Sequence, residues 1–335
     1  MQNIRKLPIG IQSFEDLRKN NYIYIDKTEF VYNLVHSGKV YFLSRPRRFG
    51  KSLFLSTLKA YFEGKKELFN GLKIEQLEKD NPDAWKAYPV IYLNFAQNSF
   101  SKEVSLEKTI NLQLDEYEKK YEIQADYKDP LDPTNFAGRF INIVQTARKK
   151  TGLQAAVLID EYDKPLLDAQ SNESLVNDNR EILRGLYVTL KALDEDLKFV
   201  FLTGVTKFSK VSIFSDLNQL EDISLSSQYA TACGITEKEM LENLGQEVEG
   251  FAVQNKLSKE DCIAQLEKMY DGYHFYENSE GVYNPFSLLN ALKKQDFSCY
   301  WFATGTPTFL IKKLQESTMN YMDLSNGVEA TAQEL

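Results

Sequence analysis

The residues best suited to chemistry are Gly50, Lys51 and Ser52, which follow the apolar run Val40-Tyr41-Phe42-Leu43 after six intervening residues. Strand, loop, then Gly-Lys-Ser at a helix start is the arrangement that wraps phosphates in backbone N–H groups. The lysine reaches the β- and γ-phosphates, and the serine hydroxyl ligates Mg²⁺. The helix dipole adds to the attraction for anions. Arg48, Phe49, Gly50, Lys51, Ser52 and Leu53 are therefore the candidate nucleotide-binding residues. The full phosphate-loop pattern has a glycine at position 45, where this chain has Arg45. At least one of Arg45, Arg47 and Arg48 is expected to contact phosphate oxygens, which planar guanidinium donors suit.

A second candidate group closes the apolar run Ala155–Ile159, namely Asp160, Glu161 and Asp163. An aspartate at such a strand end holds Mg²⁺, and a glutamate directly after it can serve as general base for an attacking water. The metal set is thus Ser52 and Asp160, with Glu161 and Lys51 catalytic. Asp163 either supports these groups or solvates the turn. Phe199–Leu202 reads as the next strand, and Thr203 at its end is the candidate γ-phosphate sensor, with Thr206 second. The expected ligand is ATP and the expected cofactor Mg²⁺.

These groups need a scaffold. Apolar runs at 22–25, 40–43, 90–95, 155–159 and 199–202 read as strands. Helical patterns run from Lys51 to Gly64, near 103–120 and near 134–150. Alternation of the two predicts an α/β fold built on a parallel sheet. Asp26 or Thr28 can cap a helix through Phe30, Leu34 and Val35. Beyond about residue 230 the texture is helical. Thr236 with Glu239 has capping-box spacing, Ser258 with Asp261 opens a second helix, and Asn284-Pro285 starts a third. Tyr273–Phe275 and Val282-Tyr283 could pair as a hairpin, so this part reads as a winged-helix-like module. The expected division is a core over 1–230 and a C-terminal domain over 231–335.

Composition narrows the classes. The chain has 335 residues, 43% hydrophobic and 26% charged, with a net charge of −8. That balance suits a globular protein and disfavours one that coats nucleic acid. The third C-terminal helix brings only Lys293 and Lys294 as cations, so a nucleic-acid role has thin support. Three separated cysteines form neither a zinc pattern nor a disulfide framework, which favours a reducing compartment. His36 and His274 read as structural or surface residues. No signal peptide or membrane span is visible, and the expected location is cytoplasmic. Self-association is left open. Arg180 and Arg184 lie on a helix after the acidic strand and are ordinary surface arginines or, alternatively, a source of an arginine finger.

Taken together, the chain resembles the AAA-ATPase-like family of bacterial P-loop proteins. The resemblance rests on Pro8-Ile9-Gly10, Tyr24-Ile25-Asp26-Lys27-Thr28, Arg45 to Ser52, Leu158 to Asp163, Phe201 to Phe208, Tyr270-Asp271-Gly272-Tyr273 and Tyr283 to Ser287. Members carry Arg-Pro-Arg-Arg at the start of the phosphate loop, as here. The resemblance implies an additional-strand, catalytic-glutamate ATPase core and a helical or winged-helix lid. It places phosphate binding on Gly50, Lys51 and Ser52, metal on Ser52 and Asp160, hydrolysis on Glu161, and adenine near Asp26 to Thr28. Members are often joined to a C-terminal PD-(D/E)XK nuclease-like domain. That domain is expected to lie beyond Leu335, so residues 1–335 alone are not expected to cut DNA or RNA.

Overall fold

Five strands pair in parallel: β1 (Val40–Ser44), β2 (Val90–Asn94), β3 (Ala155–Asp160), β4 (Leu197–Gly204) and the two-residue β5 (Glu221–Asp222), in the order β2-β3-β4-β1-β5. The computed structural model describes residues 5–101, 104–123, 136–206 and 219–301. β3 is buried along its whole length because it is central and covered on both faces, so it reads as an unbroken apolar run. β4 lies between β1 and β3, so the loop strand and the acid strand are separated by one neighbour.

The two-residue side-chain period divides the core. Ile91, Leu93, Val157, Ile159, Val200 and Leu202 face α5 (Leu106–Lys120), α6 (Phe136–Thr151) and α8 (Glu173–Ala192). Tyr41, Leu43, Ala156, Leu158, Phe199 and Phe201 face the other layer. That layer includes α1 (Phe14–Lys19), α2 (Thr28–Ser37) and α3 (Lys51–Phe62). Helices on both faces of a parallel sheet are thus observed as expected. The short helices α4 (Lys73–Leu77) and α7 (Lys164–Asp168) complete the core layers.

β2 is an edge strand whose open side is covered. The Tyr117 hydroxyl on α5 accepts from Tyr92 N–H (2.6 Å) and donates to Tyr92 C=O (3.1 Å). Gln113 does the same for Asn94, with its oxygen 2.8 Å from the amide nitrogen and its amide 3.0 Å from the carbonyl. Backbone groups that would otherwise template another strand are thereby used.

Beyond the sheet, α9 (Glu237–Gln254), α10 (Lys259–Tyr270) and α11 (Pro285–Lys294) enclose a third core around Met240, Leu244, Phe251, Leu266 and Leu288. The expected start signals are all present. Thr236 and Glu239 form a capping box, Ser258 caps α10, and Asn284 caps α11 with Pro285 in its first turn. The expected hairpin is reduced to one bridge, Tyr273 with Val282, while Tyr283 bridges to Ile235 instead. The expected strand at 22–25 is also absent. Tyr22 makes one bridge to Lys6, and Ile23 and Ile25 turn into the third core with Leu7 and Ile9. Suitable residue types were present there without a partner strand. Among the described residues, no helix is long and apolar enough to cross a membrane.

Candidate functional site

β1 ends at Ser44, and the chain crosses to α3 through a loop fixed from beneath. The Arg45 side chain is 1% exposed and runs into the protein. Its guanidinium donates to the carbonyls of Ser44 (2.9 Å), Ser224 (2.6 Å) and Tyr229 (2.9 Å), and stacks 3.9 Å from the Phe275 ring centroid. Burial pulls its pKa down to about 10, so it stays charged at neutral pH. Of the three loop arginines of which at least one is expected on phosphate, Arg45 is thus committed to the protein interior, while Arg47 and Arg48 line the cleft. The residue replacing the usual glycine ties the loop to segments almost two hundred positions away. Arg45→Ala is expected to cost about 3 kcal/mol, since hydrogen bonds from a charged donor and a large packed side chain are lost together. Urea unfolding checks this, and a loss below about 1 kcal/mol would contradict the role.

Phe49 is likewise buried. Its ring meets Tyr273 (4.6 Å) and Phe275 (5.6 Å) edge-on, and its carbonyl accepts from Gly234 N–H (3.1 Å). Its side chain is thus a packing element, and Phe49 also counts among the residues lining the cleft. Arg48 has φ +68° and stacks 4.0 Å over Phe286 of α11. Gly50 has φ +94°, a conformation glycine adopts without strain, and precedes α3 as its N-cap. With no side chain to cap it, α3 begins with backbone N–H groups open to an anion. Lys51 is 5% exposed and donates to the carbonyls of Arg45 (2.9 Å) and Pro46 (3.2 Å). Burial lowers its pKa, opposed by Glu161, Asp163 and Asp160.

The acids stand at the end of β3, one neighbour away. Asp160 is 1% exposed and each carboxylate oxygen has one hydroxyl donor: Thr203 on Oδ1 (2.6 Å) and Tyr92 on Oδ2 (3.2 Å). Glu161 has φ +52°, rare for a residue other than glycine, and this turn sends it toward the cleft while Tyr162 and Asp163 return to the core. Burial raises the Glu161 pKa, as do Asp160 and Asp163, with Lys51 and Arg47 opposing. Asp163 is fully buried, so it does not solvate the turn. Its Oδ2 accepts from the Val205 and Thr206 amides (2.8 and 2.7 Å) and from the Thr206 hydroxyl (3.0 Å). It fixes the chain leaving β4, and burial raises its pKa.

A cleft of about 1430 Å³ joins these parts. Arg47, Arg48, Gly50, Lys51, Ser52 and Leu53 form one wall, and Glu161, Lys164 and Thr206 a second. Ile11, Gln12, Tyr24, Ile25 and Lys27 from the lead-in form a third. Gly234, Ile235, Phe286 and Leu289 close it from the C-terminal side. Thr206 lines the cleft. Thr203 is fully buried behind Asp160, and its hydroxyl is shared between that carboxylate and Glu161 N–H (3.3 Å). Asp26 and Thr28 do not line it: Asp26 accepts from Thr28 and from Lys73 N–H, holding α2 to α4. Their neighbours Ile25 and Lys27 face the cleft instead. Arg180 and Arg184 are not among its lining residues. His36 pairs with buried Glu78 (2.8 Å), and His274 bonds the Ser279 carbonyl, both away from the cleft.

Sequence reasoning missed several participants. Lys27 (8% exposed) stood within the expected adenine stretch, but its pairing with Glu239 of the capping box at 2.6 Å, which ties the lead-in to α9, was not foreseen. Tyr92, Lys164 and buried Cys233 were missed outright, since no local motif marks these three. The residues present fit a magnesium ion that arrives with phosphate. Ser52 and Glu161 line the cleft as hard oxygen donors; Asp160, next to Glu161, is nearly buried and is not a lining residue, and one hydrogen bond on each of its oxygens leaves lone pairs unused. Among the described residues, no group of three or more His, Cys, Asp or Glu side chains could hold a metal by itself.

A protein from Azotobacter chroococcum mcd 1, named as uncharacterized and placed in the vnfD 5' region, is 40% identical over 313 residues. The match covers 93% of this chain and 56% of that protein, so the chain spans little more than half of that relative's length. A family model described as predicted AAA-ATPase matches residues 8–214, a stretch that contains the loop, both acids and Thr203. On this match the chain belongs to the AAA-ATPase-like family.

Proposed function

We propose that the cleft binds ATP with Mg²⁺ and hydrolyses it, and that nucleotide state is passed to the C-terminal helices as to a lid. The observation carrying this reading is the convergence of an uncapped helix start at Lys51, Glu161 just past the end of β3, and α11 on one cleft. Phosphates would sit on the first N–H groups of α3, and Lys51 would exchange the Arg45 and Pro46 carbonyls for phosphate oxygens. Ser52 and Asp160 would hold Mg²⁺, which neutralises charge on the transferring phosphoryl group. Glu161, with its raised pKa, would accept a proton from water. Thr203 would act through Asp160 by orienting its carboxylate, and Arg47 and Arg48 would lie beside the phosphates. Ile11, Tyr24, Ile25, Ile235 and Leu289 offer an apolar seat for the base.

The lid reading, with residues 1–230 as core and 231–335 as lid, draws on two contacts. Arg48 stacks on Phe286, and Phe49 packs on Tyr273 and Phe275. Either would transmit a shift of the phosphate loop to the C-terminal part. A cytoplasmic site of action fits the free thiols Cys233, Cys262 and Cys299. Longer relatives could supply further domains, including a nuclease-like one, as partners of this module.

Steady-state phosphate release measured beside nucleotide affinity tests the proposal. Tight binding with Mg²⁺-dependent turnover supports it. Tight binding without turnover would instead favour a nucleotide-dependent switch or scaffold. For a nucleic-acid role, Lys293 and Lys294 end α11, while Phe286 and Leu289 of that helix face the cleft. Salt-dependent binding of DNA is expected to be absent, and a steep salt dependence would overturn that expectation.

A further inference from the structure

Tyr92 lies outside every motif in this sequence, yet its hydroxyl is 3.2 Å from Asp160 Oδ2. The register explains the meeting. Tyr92 pairs with Leu158 and Asn94 with Asp160, so Tyr92, Asn94 and Asp160 share one face of the sheet, the face that carries α3. Asn94 donates to the Tyr92 hydroxyl (3.2 Å), leaving the phenol proton directed to the carboxylate. Thr203 holds the other oxygen at 2.6 Å. Asp160 is therefore gripped from both sides by strands β2 and β4, one hydroxyl to each oxygen. Tyr92 is itself fixed at the backbone, through the two hydrogen bonds its N–H and C=O make with Tyr117 of α5.

We propose that Tyr92 is a positioning residue for the metal site: with Asn94 behind it, it sets the orientation in which Asp160 presents its free lone pairs to Mg²⁺, and through Tyr117 and Gln113 it links that orientation to α5. The inference rests on the reading of the cleft as a Mg²⁺-nucleotide site. A carboxylate with only one fixed oxygen can rotate about its terminal torsion, which is broad and roughly two-fold. Partners that orient a metal ligand commonly change affinity by 10- to 100-fold when removed.

The test is Tyr92→Phe, which removes one oxygen and keeps the ring. Binding of a fluorescent ATP analogue is titrated with Mg²⁺, beside metal-free affinity and the melting temperature. The expected result is about a tenfold rise in the Mg²⁺ concentration giving half-maximal enhancement of binding. Metal-free affinity stays unchanged, and Asn94→Ala gives a smaller shift in the same direction. A variant with the parent Mg²⁺ midpoint overturns the role of Tyr92 alone, as does a loss of affinity that is equal with and without metal. A parent protein that shows no Mg²⁺-dependent nucleotide binding overturns the reading of the cleft and this proposal with it.

Discussion

Lys51→Ala is expected to weaken ATP binding at least tenfold, about 1.4 kcal/mol. The ammonium is nearly buried at the base of the loop, where burial already lowers its pKa and only two carbonyls receive it. A phosphate brings full negative charge to that position and gives the buried cation a stronger partner than a carbonyl dipole. Without Lys51 the open N–H groups of α3 remain, so residual binding persists at high ligand concentration. Calorimetric titration of parent and variant, with melting temperatures to establish folding, reads the difference. Unchanged affinity in a folded variant would remove the loop from the site.

Glu161→Gln is expected to lower turnover by about 100-fold or more while ATP affinity is kept, because the amide preserves shape and cannot take a proton. The raised pKa of Glu161 adds a pH signature. The group is an effective base only when ionised, so the parent's turnover should fall on the acid side, at a pH above the usual carboxylate range, and the variant should lack that limb. Stability runs in the opposite direction. A carboxyl whose folded pKa is raised binds its proton more tightly in the folded state. Its ionisation therefore costs stability as pH rises from the unfolded toward the folded pKa. Glu161→Gln, neutral throughout, should then melt slightly above the parent at neutral pH. Full turnover in this variant would assign the proton transfer to another group.

The parts of this site that were legible in the sequence are those encoded locally. Gly50-Lys51-Ser52 announces an uncapped helix start, and Asp160-Glu161 announces a strand end, because both depend only on adjacent residues. The four long strands were legible because their burial on two faces demands apolar runs. Arg45 was not legible: its charge suggested phosphate, but its partners Ser224 and Tyr229 lie far along the chain. Tyr92 was hidden for the same reason, since its role follows from register with β3. β5 is two residues long, too short to leave a periodic signal. The run at 22–25 had strand-forming residues, but Ile23 and Ile25 found the C-terminal core in place of a sheet edge. Thr203 was singled out from its position at a strand end, yet it is buried and Thr206, the second candidate, is the one that lines the cleft. The bond of Thr203 to Asp160 needed the observation that β4 separates β3 from β1.

The most direct test of the central claim is a crystal structure with a non-hydrolysable ATP analogue and Mg²⁺. Phosphate oxygens are expected within hydrogen-bond distance of the first N–H groups of α3, with Lys51 released from the Arg45 and Pro46 carbonyls onto phosphate. A magnesium ion is expected bound by Ser52, with Asp160 reached directly or through water, and the base between the lead-in and Leu289. Nucleotide bound outside this cleft, or inside it with its phosphates away from Gly50–Ser52, would contradict the account.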